Sequence, residues 1–193
     1  MSLELIKKIR EATGAGVSDI HAALKEANND ETKTIEILRK KGQKVAAKRA
    51  EKSTNQGMIE AYVHANGRVA SMVALACETD FVARTDDFKT LAHEIALQIA
   101  ASAPQYLSPE EIPAEVVAKE EEIYREQLLK EGKPAAMIDK IMEGKLQKFY
   151  SEVCLLKQVY VKDDKKTIEQ LVTEAVGKMG EKIKIVRFVY FTL

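Results

Sequence analysis

The chain has 193 residues, 46% of them hydrophobic and 31% charged, which suits one domain with a sizeable core, or one domain with a small satellite. Its 30 basic and 30 acidic side chains give a formal net charge of zero, which argues against a dedicated nucleic-acid-binding protein, since such surfaces are usually basic. The N-terminus lacks an apolar segment of signal-peptide length and no run of about 18 apolar residues occurs, so we expect a cytoplasmic protein that makes no use of a membrane.

Residues 1–53 are predicted to form a small N-terminal helical docking module with a basic linker helix. Apolar residues at helical spacing predict a first helix that ends at Thr13-Gly14-Ala15-Gly16, a second that Ser18-Asp19 caps, and a third that stops at Gly42. Three such helices enclose only a tiny core, which is typical of a module that docks on something else. The linker helix is basic, because six basic residues and one acid lie between Lys40 and Lys52.

Residues 54–193 are predicted to form an α+β core domain, an antiparallel sheet flanked by helices. Asn66-Gly67 joins two apolar-rich runs, Met58 to Ala65 and Arg68 to Cys77, and is a strong β-hairpin signal because both residues tolerate the positive φ of a type I′ turn. Four further helices are predicted, at 86–102 with a cap at Asp86 or Asp87, at 115–131, at 134–151 and at 167–179. An extended segment at 152–162, a loop at 163–164 and a final strand at 182–192 complete the prediction.

Thr79-Asp80-Phe81-Val82 lies between the hairpin and the next helix, and is predicted to form a strand-to-helix corner with an aromatic ring at its tip. An exposed Phe81 on a short connector could enter a pocket on a partner protein. Alternatively, Phe81 plugs the core at the end of the hairpin and Val82 faces outward. Strand alternation does not decide between these two interpretations.

Two other candidate sites, for a dinucleotide and for a metal ion, have weaker support in the sequence than the Thr79–Val82 corner. The GxG at Gly14 and Gly16 lacks the third glycine of a dinucleotide fingerprint and follows no strand, so it indicates a helix-stop turn. The histidines His21, His64 and His93 have no ligand partner at i+3 or i+4, so we expect no metal site.

No catalytic constellation is recognisable, so we predict a protein that is not an enzyme and needs no cofactor. Cys77 and Cys154 lie far apart without CxxC spacing, which is typical of reduced core cysteines in a cytosolic protein. The basic run from Lys40 to Lys52 could contact RNA phosphates, but no aromatic residue interleaves it for base stacking, so the pattern favours a solvated helix face.

Segments spread over the whole chain carry a family resemblance. In the N-terminal part these are Leu5, Arg10 to Gly16, Asp19, Ala23-Leu24, Ala27 and Ala46-Ala47-Lys48. In the later part they are Cys77 to Arg84, Glu131 to Pro134, Glu143 to Leu146 and Lys162-Asp163. Together they resemble the translation elongation factor Ts family, and the octapeptide CETDFVAR is the most specific match.

The resemblance implies a guanine-nucleotide exchange factor for the GTPase elongation factor Tu, with a UBA-like three-helix bundle at its N-terminus. In this interpretation the bundle docks on the GTPase domain and the Asp80-Phe81 corner enters between two helices of that domain. The intrusion disturbs the partner's magnesium and phosphate site, so GDP leaves. The implied contact residues are Thr79, Asp80, Phe81 and Val82 at the corner, and Arg10, Thr13, Gly14 and Gly16 in the bundle.

The chain also departs from the longer family members, which carry two related core halves and a helical-hairpin insertion. There is room for one core half, and no second Thr-Asp-Phe occurs. The resemblance therefore implies a homodimer that binds two GTPases in a 2:2 complex, with the cysteine-free apolar segment from Val186 to Leu193 as the candidate for pairing. The competing hypothesis is an RNA-associated translational or ribosomal protein that uses the Lys40 to Lys52 run; the exchange-factor hypothesis expects no direct contact with nucleic acid.

Overall fold

The computed structural model describes residues 2–193, apart from the side chains of 135 and 136, and within them it contains eight α-helices and five β-strands. The N-terminal elements are α1 (Leu3–Thr13), α2 (Val17–Glu26), α3 (Glu31–Arg49), β1 (Gln56–Val63), β2 (Val69–Cys77), α4 (Asp80–Ala83) and α5 (Asp86–Ser102). The C-terminal elements are α6 (Ala114–Lys130), α7 (Ala135–Val153), β3 (Val159–Tyr160), β4 (Asp163–Thr167), α8 (Ile168–Met179) and β5 (Ile183–Thr192). The fold is therefore α+β, as the sequence predicts. None of the described helices is both long and apolar enough to cross a membrane.

Helices α1, α2 and α3 pack around a hydrophobic cluster of their own, whose buried members are Ile6, Ile9, Ile20, Ala23, Leu24 and Leu38. The predicted stop after Thr13 is confirmed, because Gly14 takes a left-handed conformation with φ 65° and closes α1 with a hydrogen bond from its N–H to the Arg10 carbonyl at 2.7 Å. The predicted cap of α2 is wrong. Gly16 occupies the capping position without a side-chain bond, and Ser18-Asp19 lies inside the first turn.

Gly42 does not end the third helix, contrary to the prediction, and α3 continues to Arg49. A glycine costs a helix interior only about 1 kcal/mol relative to alanine, so it is a weak stop signal on its own. Here Gly42 faces Gly177 of α8, and an added Cβ on Gly177 would lie 2.9 Å from the Gly42 Cα. The missing side chain of Gly177 lets the two helix backbones approach closely, which fixes α3 against the core.

The central sheet is antiparallel with the strand order β1-β2-β5. The predicted hairpin is confirmed, but its first strand begins and ends two residues earlier than expected. The turn is closed by the Gly67 N–H donating to the His64 carbonyl at 2.8 Å. Gly67 alone has a positive φ there, so the predicted type I′ turn, which needs two such residues, is wrong.

Helices α5 and α8 cover one face of this sheet and bury the main core. Its large members are Val73, Leu75, Phe88, Leu91, Ile95, Ile99, Leu155, Ile168, Ile183 and Ile185. Thr85, rather than either aspartate, caps α5 by accepting the Phe88 N–H, and Asp86 and Asp87 fall in the first turn. Carboxylates are favourable there because of the helix dipole.

The segment from 152 to 167 differs most from the prediction. Helix α7 runs to Val153, a 3-10 turn spans Leu155–Lys157, and only Val159–Tyr160 is extended. Asp163 does not begin a loop; it starts β4, which pairs with β3. Helices α6 and α7 pack on each other around Leu128, Ile138 and Met142 and form a helical hairpin.

Candidate functional site

The Thr79–Val82 segment forms the predicted corner between β2 and the single-turn helix α4. Thr79 caps α4 by accepting the Val82 N–H at 3.4 Å. The Phe81 side chain is 80% exposed, whereas Val82 is partly buried against the main core. The interpretation in which Phe81 plugs the core is therefore wrong. Val82 anchors the turn and Phe81 presents its ring to solvent.

Asp80 is held in place beside this ring. Its carboxylate forms an ion pair with Arg84, one helical turn further on, with 2.9 Å between Asp80 Oδ2 and Arg84 Nη2. Both side chains are largely open to solvent, so the ion pair contributes little to stability. It leaves the carboxylate able to accept a further hydrogen bond from another molecule.

Two glutamates fasten the corner to the start of β5. Glu181 accepts the Thr79 N–H at 3.0 Å and the Thr79 hydroxyl at 2.6 Å. Glu78 accepts the Lys182 N–H at 2.7 Å and a hydrogen bond from Arg49 Nη1 at 2.9 Å. Hydrogen bonds to ionised carboxylates are roughly twice as strong as neutral ones, so the backbone before Phe81 is firmly attached.

Cys77 lies under the corner and is inert. Its side chain is buried, and its thiol donates to the Thr79 carbonyl with a sulfur–oxygen distance of 3.1 Å. Burial, and then the negative charge of Glu181, raise the pKa of the Cys77 thiol. Because only a thiolate is a good nucleophile, the corner offers no covalent chemistry.

The four N-terminal candidates lie at or beside the α1–α2 connection. Thr13 Oγ1 donates to the Ile9 carbonyl at 2.7 Å, and an added Cβ on Gly14 would lie 2.7 Å from Lys178 Cδ on α8. Arg10 and Gly16 are exposed. The connection forms one wall of a cleft of about 530 Å³ whose other walls are α3 and α8.

Two of the six basic side chains between Lys40 and Lys52 form ion pairs with acids of the same chain. Within the described residues, Lys41 pairs with Asp19 at 2.6 Å and Arg49 pairs with Glu78 at 2.9 Å. The other members of this run, Lys40, Lys44, Lys48 and Lys52, are exposed. No group of three or more His, Cys, Asp and Glu side chains that could hold a metal ion occurs in the part of the chain that the structure describes.

Sequence reasoning misses the residues that hold the corner. Glu78 is inside the recognised octapeptide, yet only its neighbours are predicted as site residues. Glu181 is 102 positions from Thr79, and its place directly after Gly180 is its only signal. A side chain that satisfies backbone groups at such a separation has no periodic pattern by which it could be found.

Comparison with known proteins identifies the family. The family model described as Elongation factor TS matches residues 3–193. The chain is 51% identical over 190 residues to elongation factor Ts of Carboxydothermus hydrogenoformans, covering 98% of this chain and 88% of that protein. It is 52% identical over 189 residues to that of Fervidobacterium nodosum, covering 98% and 96%, and 50% identical over 193 residues to that of Thermotoga maritima, covering 100% and 96%. With half of its residues identical along nearly its whole length, the chain belongs to the elongation factor Ts family of translation elongation factors.

Proposed function

We propose that this chain is a cytoplasmic guanine-nucleotide exchange factor that releases GDP from the GTPase elongation factor Tu. The observation that carries the proposal is Phe81, an aromatic ring 80% exposed on a firmly anchored single-turn helix, in a chain of the elongation factor Ts family. A large apolar side chain held out in solvent gains free energy only when a partner buries it. The chain makes and breaks no covalent bond in this role, so it is not an enzyme and needs no cofactor.

Exchange then follows from thermodynamic linkage. A factor that binds the nucleotide-free GTPase better than the GDP-bound form must weaken GDP binding by the same factor. In this proposal Phe81 enters between two helices of the GTPase domain and displaces the groups that hold Mg²⁺ and phosphate. Asp80 adds a charge-assisted hydrogen bond that orients the turn.

The burial energy of Phe81 is too small to account for the whole effect. If the GTPase holds GDP with nanomolar affinity, about 12 kcal/mol must be offset. Complete burial of a Phe side chain supplies roughly 1.5–3 kcal/mol, about a ten- to hundredfold change in affinity. The remainder has to come from a wide interface formed by other parts of the chain.

We assign the N-terminal part of that interface to residues 1–53, acting as a UBA-like docking module. Support comes from the separate hydrophobic cluster of α1–α3 and from the α1–α2 connection at Thr13, Gly14 and Gly16, where Gly16 is exposed and nearby Arg10 supplies a charge. Exposed backbone next to a glycine lets a partner approach closely. Residues 54–193 are the core domain in this proposal.

We also assign dimerisation to the core domain, giving a 2:2 complex with the GTPase. The open face of the sheet consists of three cross-strand rows, Ile59–Ala74–Arg187, Ala61–Met72–Val189 and Val63–Ala70–Phe191. Eight of these nine side chains are apolar, and Ile59, Val63 and Phe191 are each more than 60% exposed. Monomeric proteins rarely leave such a contiguous apolar surface open, and two copies related by a twofold axis can pack these faces together about 10 Å apart.

The dimer is tested by light scattering at micromolar concentration. Wild type is expected at twice 21.5 kDa. Val189→Lys, which places a charge at the centre of the open face, should give the monomer mass. The matched control is Val161→Lys, the same change at an exposed position on the β3–β4 turn, which should stay dimeric. A monomeric wild type, or a dimeric Val189→Lys, contradicts this assignment.

The exchange function is tested with elongation factor Tu preloaded with fluorescent GDP. Wild type should accelerate GDP release, and excess GDP should displace the chain from the GTPase in a pull-down. Phe81→Ala should fold normally by circular dichroism and lose most of the stimulation, by about ten- to a hundredfold. Val161→Ala, which truncates another exposed apolar side chain, should keep it. A folded, fully active Phe81→Ala would remove Phe81 from the mechanism.

A further inference from the structure

The connection between the Phe81 corner and the rest of the core consists of two reciprocal pairs. Glu181 binds the backbone N–H of Thr79, and Glu78 binds the backbone N–H of Lys182. Each segment therefore supplies a carboxylate to the main chain of the other. Both pairs lie just beyond Cys77 and Ile183, which form the terminal pair of the β2–β5 ladder.

The position of these pairs explains why they are needed. Past Cys77 the chain leaves the sheet, so its amides no longer have strand partners, and an unpaired partly buried N–H is costly. Helix α4 has only four residues, and its capping hydrogen bond, which the Val82 N–H donates to the Thr79 hydroxyl oxygen, is long at 3.4 Å. Such a short helix cannot hold its own orientation. Among the described residues, Glu181 is the one side chain outside the corner that accepts hydrogen bonds from both the N–H and the hydroxyl of Thr79.

We infer that Glu181 is a positioning residue for nucleotide exchange: it does not touch the partner, and it sets the angle at which Phe81 projects. The inference rests on the proposed role of Phe81. A wedge works only if it enters its pocket in one orientation, and a displacement of about 1 Å can cost a factor of 100 in a positioned reaction. Loss of Glu181 should therefore lower the maximal rate of GDP release. The concentration of factor that gives half of that maximal rate should change less.

Glu78 extends the same attachment to α3. Its second oxygen binds Arg49 in the last turn of α3, and Lys182 Nζ donates to the Ala50 carbonyl at 2.5 Å. The end of the N-terminal module and the corner thus meet at one point.

The test measures fluorescent-GDP release from elongation factor Tu as a function of factor concentration, for wild type, Glu181→Ala, Glu181→Gln, Phe81→Ala and the double variant Glu181→Ala/Phe81→Ala. Glu181→Ala should lower the maximal rate about tenfold. Glu181→Gln should recover most of it, because the amide oxygen of glutamine can still accept a hydrogen bond from Thr79. In the double variant, Glu181→Ala should add less than about twofold to the loss caused by Phe81→Ala, since residues that act as a unit are not additive. The control is Glu126→Ala, which removes an exposed glutamate that pairs with Lys130 at 3.6 Å within α6, and it should keep the wild-type rate.

A second measurement does not depend on the partner. Hydrogen exchange of the Thr79 amide in the free protein should be faster in Glu181→Ala than in wild type, while amides within β2 stay protected. Glu181→Ala at the wild-type maximal rate, beside a defective Phe81→Ala, overturns the positioning role and leaves the proposed function intact. Losses that simply multiply in the double variant overturn it too, because they show that Glu181 acts independently of Phe81. If Phe81→Ala is itself fully active, the proposed role of Phe81 fails and the inference fails with it, whereas the exchange function itself fails only if wild type does not accelerate GDP release.

Discussion

The contact between Gly42 and Gly177 offers a sharp test of how α3 is attached to the core. In Gly177→Ala the new Cβ would lie 2.9 Å from the Gly42 Cα, a backbone atom that cannot rotate away. The two helices must therefore separate. Such overpacking costs typically about 1–3 kcal/mol, whereas alanine in place of glycine favours a helix by at most about 1 kcal/mol. We expect Gly177→Ala to lower the free energy of unfolding by about 1 kcal/mol, equivalent to a fall in Tm of about 2–4 °C for a chain of this size.

Two other glycine-to-alanine changes separate the helix effect from the packing effect. Gly144 lies within α7, and a Cβ added to it would have no neighbouring atom within 4 Å, so Gly144→Ala should raise the free energy of unfolding by about 0.5–1 kcal/mol. Gly42→Ala would meet the Gly177 Cα at 3.9 Å, an ordinary contact distance, and should be neutral or stabilising. Urea unfolding followed by circular dichroism gives all three values. If Gly177→Ala stabilises the protein as much as Gly144→Ala does, the close approach of α3 and α8 is not tight and the reasoning is refuted.

Three further predictions concern capping, pH and thiol reactivity. Thr167→Ala removes the capping box of α8 and should cost about 1 kcal/mol in urea unfolding, while an unchanged midpoint would argue against the cap. Burial disfavours the charged form of Glu94, but hydrogen bonds from Lys162 and Tyr160 outweigh this effect and lower the Glu94 pKa. The stabilising effect of Glu94 should therefore be present above its unfolded pKa and disappear as the pH falls through its folded pKa. The stability of Glu94→Gln should then depend less on pH in the acid range than that of wild type. Burial raises the pKa of the Cys77 thiol, and it raises the pKa of the Cys154 thiol to about 11. A thiol reagent at pH 8 should therefore label neither cysteine in the native protein and both in urea, and rapid native labelling would contradict their burial.

The features that sequence predicts well are those set by neighbouring residues. The stop at Gly14, the end of α8 at Gly180 and the hairpin around Gly67 each depend on a left-handed glycine, and the structure has all three. The corner at Thr79 is also predictable, because it lies between a strong strand pattern and a strong helix pattern. Local chemistry decides these positions before any tertiary contact forms.

The features that sequence does not predict depend on distant partners. Gly42 packs against Gly177, and Thr79 is held by Glu181. Neither partner can be identified from the residues around the position concerned. The exposure of Phe81 is of the same kind, since a four-residue helix is too short for periodicity to show which side chain faces outward.

These distant contacts converge on one part of the molecule. Helix α8 carries Gly177, which packs against α3, and the short link from α8 to β5 carries Glu181, which holds the Phe81 corner. The two regions proposed to touch the GTPase are therefore fixed to the same frame. When one of them binds, the other is already held at a set distance, so its binding is effectively intramolecular and costs less ordering entropy. In the proposed function, this arrangement is what allows the contacts of a wide interface to act together with Phe81 against bound GDP.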